Sequence, residues 1–287
     1  MLYTYLLLGL RNLCYFSLNN GSEPLVLQRL AVKMLAKGYG IVEGEMKGVT
    51  VANIDGIRLL KGRGEEISDC IYRKGGKNVL DNPPQYPKIV VDLGLFNRLD
   101  EDEKKKTLTQ LFMTLNVVRK FWWDGNMVVV GGTKVGKALT VSSFSVDAPA
   151  IVLDPYGDVD ANEEIIRNSD VFIIGGIVDK GRRLKYATTE LAKMRGYDYP
   201  RVRIKLRGSV VGVPDEINKI AEIVLKVKEG ESLEEAVIST MSKGDKVARI
   251  LYDVHMLGLD VLEEELKWLK ADDKVLHMVK SRLRINS

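Results

Sequence analysis

Short apolar runs alternate with amphipathic stretches through the middle of the chain, and that alternation predicts an α/β sheet of mostly parallel order. Residues 88–93, 126–130, 151–154 and 171–174 are runs rich in Val and Ile. They lack polar alternation, as strands covered on both faces require. Between them, Leu108, Leu111, Phe112, Leu115 and Val118 recur at helical spacing behind Asp100–Glu103, whose acids suit a helix N-terminus, and residues 163–168 predict a short helix. Gly181 opens another helix, with Leu184, Ala187, Leu191 and Met194 as its apolar face and Gly196 as its stop. A strand over residues 202–206 then leads through Arg207–Val213 into a helix opened by Pro214-Asp215-Glu216.

The flanks follow different patterns. Leu25–Leu35 has helical spacing, and residues 41–43, 49–51 and 57–60 predict short strands. Pro83, Pro84 and Pro87 mark residues 81–87 as a linker. Ser232–Glu235 predicts a capping box, after which helical periodicity runs nearly to the end of the chain. The expected domains are a small α+β unit over 1–82, a central α/β domain over 83–238 and a small all-α domain over 239–287.

Composition narrows the chemistry. The 287 residues are 45% hydrophobic, enough for a substantial core, and the net charge of only +4 confines any nucleic-acid surface to local patches. Two cysteines (Cys14, Cys70) and two histidines (His255, His277) exclude a disulfide framework, a histidine-rich metal site and most Ser-His or Cys-His catalysis. No run is long enough to span a membrane, and Leu2–Leu10 lacks a small-residue cleavage site. A soluble protein of a reducing compartment is expected, with no membrane or metal partner. Gly131–Lys137 matches G-x-x-x-x-G-K, but position 138 is Ala where a phosphate loop needs Ser or Thr, and the following residues read as extended. Nucleotide hydrolysis is therefore rejected. The aromatics Phe121-Trp122-Trp123 are expected to pack beneath a helix end.

The chemistry concentrates in residues 171–220. Gly175-Gly176 at a strand's carboxyl end allow something to approach the backbone closely, and ligands of open α/β sheets bind outside such ends. Asp179 is thus delivered to the edge where reactions take place. A second strand-to-helix junction, Arg207–Val213, brings an apolar Val-Val-Gly-Val lining. Neither junction carries the G-x-G-x-x-G dinucleotide fingerprint. Asp92, near the end of its own strand, has two readings: a second acid at the site, or a turn residue before Gly94.

The string Ile173–Arg183, IIGGIVDKGRR, runs into a helix, a short strand and a second glycine-containing loop. This arrangement resembles the knotted half of the SPOUT methyltransferases and is most similar to the archaeal-type tRNA purine-9 N1-methyltransferases. IGGIVDK is the specific part; the order of elements is similar over residues 86–230. The second loop departs from the family's Leu-Thr-Val-Asn-like run, having Gly212-Val213-Pro214-Asp215 instead.

The resemblance implies a SPOUT-type α/β fold, a mostly parallel sheet with a C-terminal trefoil knot, in a monomeric cytoplasmic protein. It implies S-adenosyl-L-methionine as donor, held by Ile174, Gly175 and Gly176 and by Leu206, Gly208, Val210, Val211, Gly212 and Val213. It implies tRNA as partner and N1 of the purine at position 9 as target, adenine favoured and guanine second. Asp179, and Asp92 as a second acid, are the catalytic candidates. Alternation along 201–205 puts Arg201, Arg203 and Lys205 on one face; with Lys180, Arg182, Arg183 and Arg207 they would ring the pocket and meet RNA phosphate. Beside such a core, Lys47, Arg58, Lys61, Arg63, Arg73, Lys74 and Lys77 also become candidate RNA contacts. The alternatives are a SPOUT enzyme with another RNA target and a non-catalytic RNA-binding protein.

Overall fold

The computed structural model describes residues 1–7, 12–15, 23–54, 57–62, 64–80, 82–178, 184 and 186–284. It divides into two compact units, one of residues 1–88, 115–129 and 133–140, the other of residues 89–114, 130–132 and 141–287.

The first unit contains α1 (Tyr3–Leu7), β1 (Asn12–Tyr15), α2 (Glu23–Lys37), β2 (Tyr39–Ile54), β3 (Ile57–Gly62) and β4 (Glu66–Lys74), and its strands close into a barrel in the order β1-β3-β2-β4. The expected separate strands at 41–43 and 49–51 are one long strand, β2, bent by irregularities at Glu43/Met46 and Thr50/Ala52, so that it pairs with both β3 and β4. Tyr72, which the sequence sets among basic residues, is buried and donates its hydroxyl proton to the Leu30 carbonyl at 2.7 Å, tying β4 to α2. The proline-rich segment is pinned by Asn126, whose amide donates to the carbonyls of Pro84 and Pro87.

The rest of the chain supplies β5 (Lys88–Asp92), α3 (Glu101–Phe121), β6 (Met127–Val130), β7 (Leu139–Val141), β8 (Ala150–Leu153), β9 (Val159–Asp160), α4 (Glu163–Asn168), β10 (Val171–Gly175), α5 (Ala187–Arg195), β11 (Arg201–Arg203), α6 (Ile217–Lys228), α7 (Leu233–Thr240), α8 (Lys243–Leu257), α9 (Leu262–Trp268) and α10 (Asp273–Leu283). Seven strands form a sheet in the order β7-β6-β5-β10-β8-β11-β9. The parallel ladders set Ile174 beside Leu153, and Leu153 beside Val202. The carboxyl ends of β10, β8 and β11 therefore lie level. Strands β6, β8 and β10 are buried throughout, as their unbroken apolar runs require.

Several boundaries move. Phe112 is 51% exposed; α3 instead buries Glu103, Thr107 and Thr114 with Leu111 and Leu115. The helix expected from Gly181 begins only at Ala187, so Leu184 precedes it, while Gly196 ends it in the left-handed conformation at φ 67°. α6 begins at Ile217, leaving Pro214 outside; the Ile217 N–H finds its acceptor in the Gln110 side chain at 3.0 Å. Ser232 caps α7 through the Glu235 N–H, but the Glu235 carboxylate meets Lys270 in place of the reciprocal capping bond. The full box lies ten residues later, between Ser242 and Asp245.

Candidate active site

At the level carboxyl ends of β8 and β11 lies a cleft of about 620 Å³. Leu153, Val202, Ile204, Val210, Val213 and Ile220 supply its apolar walls, Asp154, Tyr156 and Asp215 its polar ones. This volume lies within the range of small-molecule sites, and a mainly apolar lining with few polar groups is their usual chemistry.

The β8 end is braced by charge. Asp154 is buried, accepts from the Tyr156 N–H at 2.9 Å and from the Thr189 hydroxyl at 2.6 Å, and pairs with Arg201 at 3.2 Å. One carboxylate thus shapes the Pro-Tyr-Gly turn and joins it to α5 and β11. Asp215 has its carboxyl pushed up, by burial first and then by the nearby Glu216 and Asp245. The ring of Tyr156, which lines the cleft, lies against that of Tyr186, with centroids 4.2 Å apart.

The second junction forms one wall. Val210 and Val213 line the cleft, while Leu206, Gly208, Val211 and Gly212 belong to the same loop, which closes on itself through the Leu206–Ser209 bridge. The first junction is packed. A Cβ on Gly176 would lie 2.5 Å from Leu93 Cδ2, and the Gly176 N–H already donates to the Asp92 carbonyl at 2.7 Å. Close approach to β5 therefore demands a glycine there whatever else binds. Ile174, Gly175 and Gly176 end one strand away from Val202, with β8 between the two junctions. The stretch Leu153–Tyr156 is a wall that sequence patterns did not reveal; its only signal was the strand-ending Asp-Pro-Tyr-Gly.

The candidate acids fare differently. Asp179 lies outside the described residues, as do Lys180, Arg182 and Arg183; the described Leu184 that follows them lines the cleft. The Asp92 side chain is 0% exposed and held by Arg195 at 3.0 Å, by the Tyr197 hydroxyl at 2.5 Å and by the Gly94 N–H at 2.8 Å. Hydrogen bonding to Asp92 raises Arg195, and burial, then Asp92, pushes the Tyr197 hydroxyl up. The predicted basic face of β11 exists, but acids meet it. Arg201 also reaches Asp158, and Arg203 and Lys205 both pair with Asp160, whose carboxyl is held down by Arg203 and then Lys205. Arg207 lies with its guanidinium 3.8 Å from the Trp268 ring.

In the Walker-like segment, β7 follows as an extended strand, and Lys137 directs its ammonium to the Leu35 carbonyl at 3.3 Å. Among the described residues no cluster of His, Cys, Asp and Glu could hold a metal ion, and no helix is long and apolar enough to cross a membrane.

The parallel ladders and level strand ends define an open α/β sheet with its site at the carboxyl edge, and comparison with known proteins makes that sheet the SPOUT-type one. Residues 4–73 match the N-terminal domain of tRNA (adenine(9)-N1)-methyltransferases, and residues 242–282 match the C-terminal domain. The tRNA (adenine(9)-N1)-methyltransferase of Sulfolobus acidocaldarius is 55% identical over 283 residues, 96% of this chain and 97% of the relative. The crystal structure of Sulfolobus acidocaldarius Trm10 in complex with S-adenosylhomocysteine is similar at TM-score 0.85 and 49% identity, covering 96% of this chain and 95% of that one. A Thermococcus kodakarensis tRNA (guanine(9)-/adenine(9)-N1)-methyltransferase is 30% identical over 178 residues, 54% of this chain and 47% of the relative. The chain belongs to the tRNA (adenine(9)-N1)-methyltransferase family.

Proposed function

We propose that the protein transfers a methyl group from S-adenosyl-L-methionine to N1 of the purine at position 9 of tRNA, adenine being favoured over guanine. The observation that carries this reading is the cleft at the ends of β8 and β11, in a chain 55% identical along nearly its whole length to a relative with that activity.

The cleft suits the donor. Leu153, Val202, Ile204 and Val213 offer an apolar slot for an adenine ring, and the glycine-bearing loop 206–213 offers backbone groups beside it. Asp215 puts negative charge on the wall where a cationic sulfonium would be favoured. When bound, the donor supplies an electrophilic methyl group; the protein's own residues have to align the base and exclude water. The remaining predicted donor contacts, Ile174, Gly175 and Gly176, act as the packed support of this edge.

A purine stacked in folded tRNA must leave its stack before N1 can be reached. Tyr156 and Tyr186 supply aromatic faces at the cleft, and we assign them as its stacking surface. Asp179 is the catalytic acid–base candidate. It takes the N1 proton of guanine, or accepts from the exocyclic amine of adenine and stabilises the positive charge that develops on the ring. We assign Asp92 to bracing the fold rather than to the chemistry, since its oxygens are already engaged by Arg195, Tyr197 and Gly94. Lys180, Arg182, Arg183 and Arg207 are assigned to phosphate contacts, with smaller parts for Arg203 and Lys205.

Within this reading the SPOUT region is knotted, the protein works as a cytoplasmic monomer, and the divisions at about 82 and 238 separate RNA-contacting, catalytic and helical parts. The test is mass spectrometry of nucleosides from an unmodified tRNA transcript incubated with protein and donor. 1-Methyladenosine that disappears on changing position 9 is the expected result. Methylation elsewhere would favour another RNA target, and absence of donor binding by calorimetry would leave a non-catalytic RNA-binding protein.

A further inference from the structure

Resting on the reading of the cleft as the donor site, we propose that Arg249 of α8 is a positioning residue that holds the donor-binding loop in shape. The C-terminal helices would then serve the methyl-donor side of the reaction.

Arg249 is 3% exposed, unusual for an arginine. Its Nη1 donates to the Leu206 carbonyl at 2.6 Å and to the Val211 carbonyl at 3.4 Å, while Nε pairs with Asp253 one helical turn on. The guanidinium thus bridges the two ends of a tight loop, and a buried acid balances its charge. The Leu206 carbonyl also accepts from the Ser209 N–H at 3.1 Å, so both its lone pairs are engaged.

The loop needs such a hold. Arg207 adopts φ 46°, followed by Gly208 at 77°, and Gly212 adopts 81°. A left-handed non-glycine residue persists only where its surroundings impose it. Trp268 of α9 lies against the Arg207 guanidinium at 3.8 Å and is itself held by Glu234 at 2.6 Å. The helix is also pressed onto the loop: a Cβ on Gly212 would lie 2.7 Å from Arg249 Cβ. One side of the loop therefore lines the cleft through Val210 and Val213, and the other rests on α8 and α9. Preformed loops bind tightly because ordering costs are already met.

The test compares the full-length protein with Arg249→Met, Arg249→Lys and Trp268→Leu. Trp268→Leu removes the ring beneath Arg207, leaving Arg207 its pair with Glu234 at 3.9 Å, and keeps Asp253 paired, so it covers the case in which Arg249→Met does not fold. Donor Kd is read by calorimetry, donor and tRNA KM and kcat by single-substrate titrations, and amide exchange at Ser209, Val211 and Val213 by mass spectrometry. Donor affinity should fall about tenfold or more in Arg249→Met, with faster exchange in the loop. In the Arg249 variants the tRNA KM should be unchanged, and kcat at saturating donor should stay near wild type; Trp268→Leu is judged on donor Kd and loop exchange alone, since Arg207 is also a phosphate contact. Arg249→Lys should lie between, since one ammonium cannot span both carbonyls and Asp253. Folded variants that bind donor like the wild type overturn this inference alone. A wild-type protein that fails to bind donor overturns the reading of the cleft and this inference with it.

Discussion

Tyr156 and Tyr186 place their rings 4.2 Å apart at 52°, one contributed by the turn after β8 and the other by the residue that precedes α5. Tyr186 sits in the left-handed conformation at φ 64°, which costs energy for a residue with a Cβ. If the pair stacks the extruded purine, Tyr156→Ala or Tyr186→Ala should raise the tRNA KM roughly 5- to 150-fold, the value of one base–aromatic stack. Phenylalanine at either position should retain near wild-type kinetics, and donor Kd should not move. An alanine variant with normal tRNA kinetics would remove the assignment.

Asp179→Asn should cut methylation about 10²- to 10⁴-fold, the range for a positioned acid or base, while calorimetric donor binding persists. Guanine-9 transcripts should suffer more than adenine-9 transcripts, because only guanine N1 carries a proton to be removed. Equal losses on both would leave Asp179 a purely electrostatic part.

Asp92 gives the opposite pattern. Arg195→Met would leave a fully buried carboxylate without its cation and should destabilise the fold by about 3–5 kcal/mol, read as a lower urea midpoint. Asp92→Asn should likewise lower the midpoint, yet keep turnover per folded molecule. A variant of normal stability with no turnover would restore Asp92 to the chemistry.

Glu265 provides a pH signature. It is buried in α9, and burial, then the neighbouring Asp253, push its carboxyl up to about 7, against the pull of Arg207 and Arg249. The folded state therefore holds a proton that the unfolded chain releases near pH 4.5. The favourable contribution is complete below pH 4.5 and is lost as pH rises to about 7. Glu265→Gln should flatten that part of the stability profile. An unchanged slope in thermal melts between these pH values would refute it.

Salt dependence separates the basic residues. Neutralising Lys180, Arg182 and Arg183 should reduce the slope of log K for tRNA against log salt by about 0.7 to 0.9 for each phosphate left without its cation. Arg203→Gln should change it little, because Asp160 already neutralises that side chain locally. A large fall in slope from Arg203→Gln would show that RNA displaces the acid.

The buried strands were legible because solvent exclusion on both faces writes itself as an unbroken Val/Ile run, as in β8 and β10. The barrel was not. Two irregularities in β2 break the alternation by which a strand is recognised, and β1 joins the barrel through parallel pairing with β3 and β4, which no local pattern announces. Alternation correctly put Arg201, Arg203 and Lys205 on one polar face, yet it could not show that Asp154, Asp158 and Asp160 would meet them.

The parallel α/β character, the second glycine-bearing junction and, through IGGIVDK, the family resemblance can be read from the residues alone. These depend on periodicity and on neighbours within a few positions. It took the folded chain to reveal Leu153–Tyr156 as a wall of the cleft, Asp92 as taken up by Arg195 and Tyr197, and Arg249 as the grip on the loop from Leu206 to Val211. The reason is physical: whether a carboxylate or guanidinium is available for chemistry depends on partners brought in by strand register and helix packing, far away along the chain.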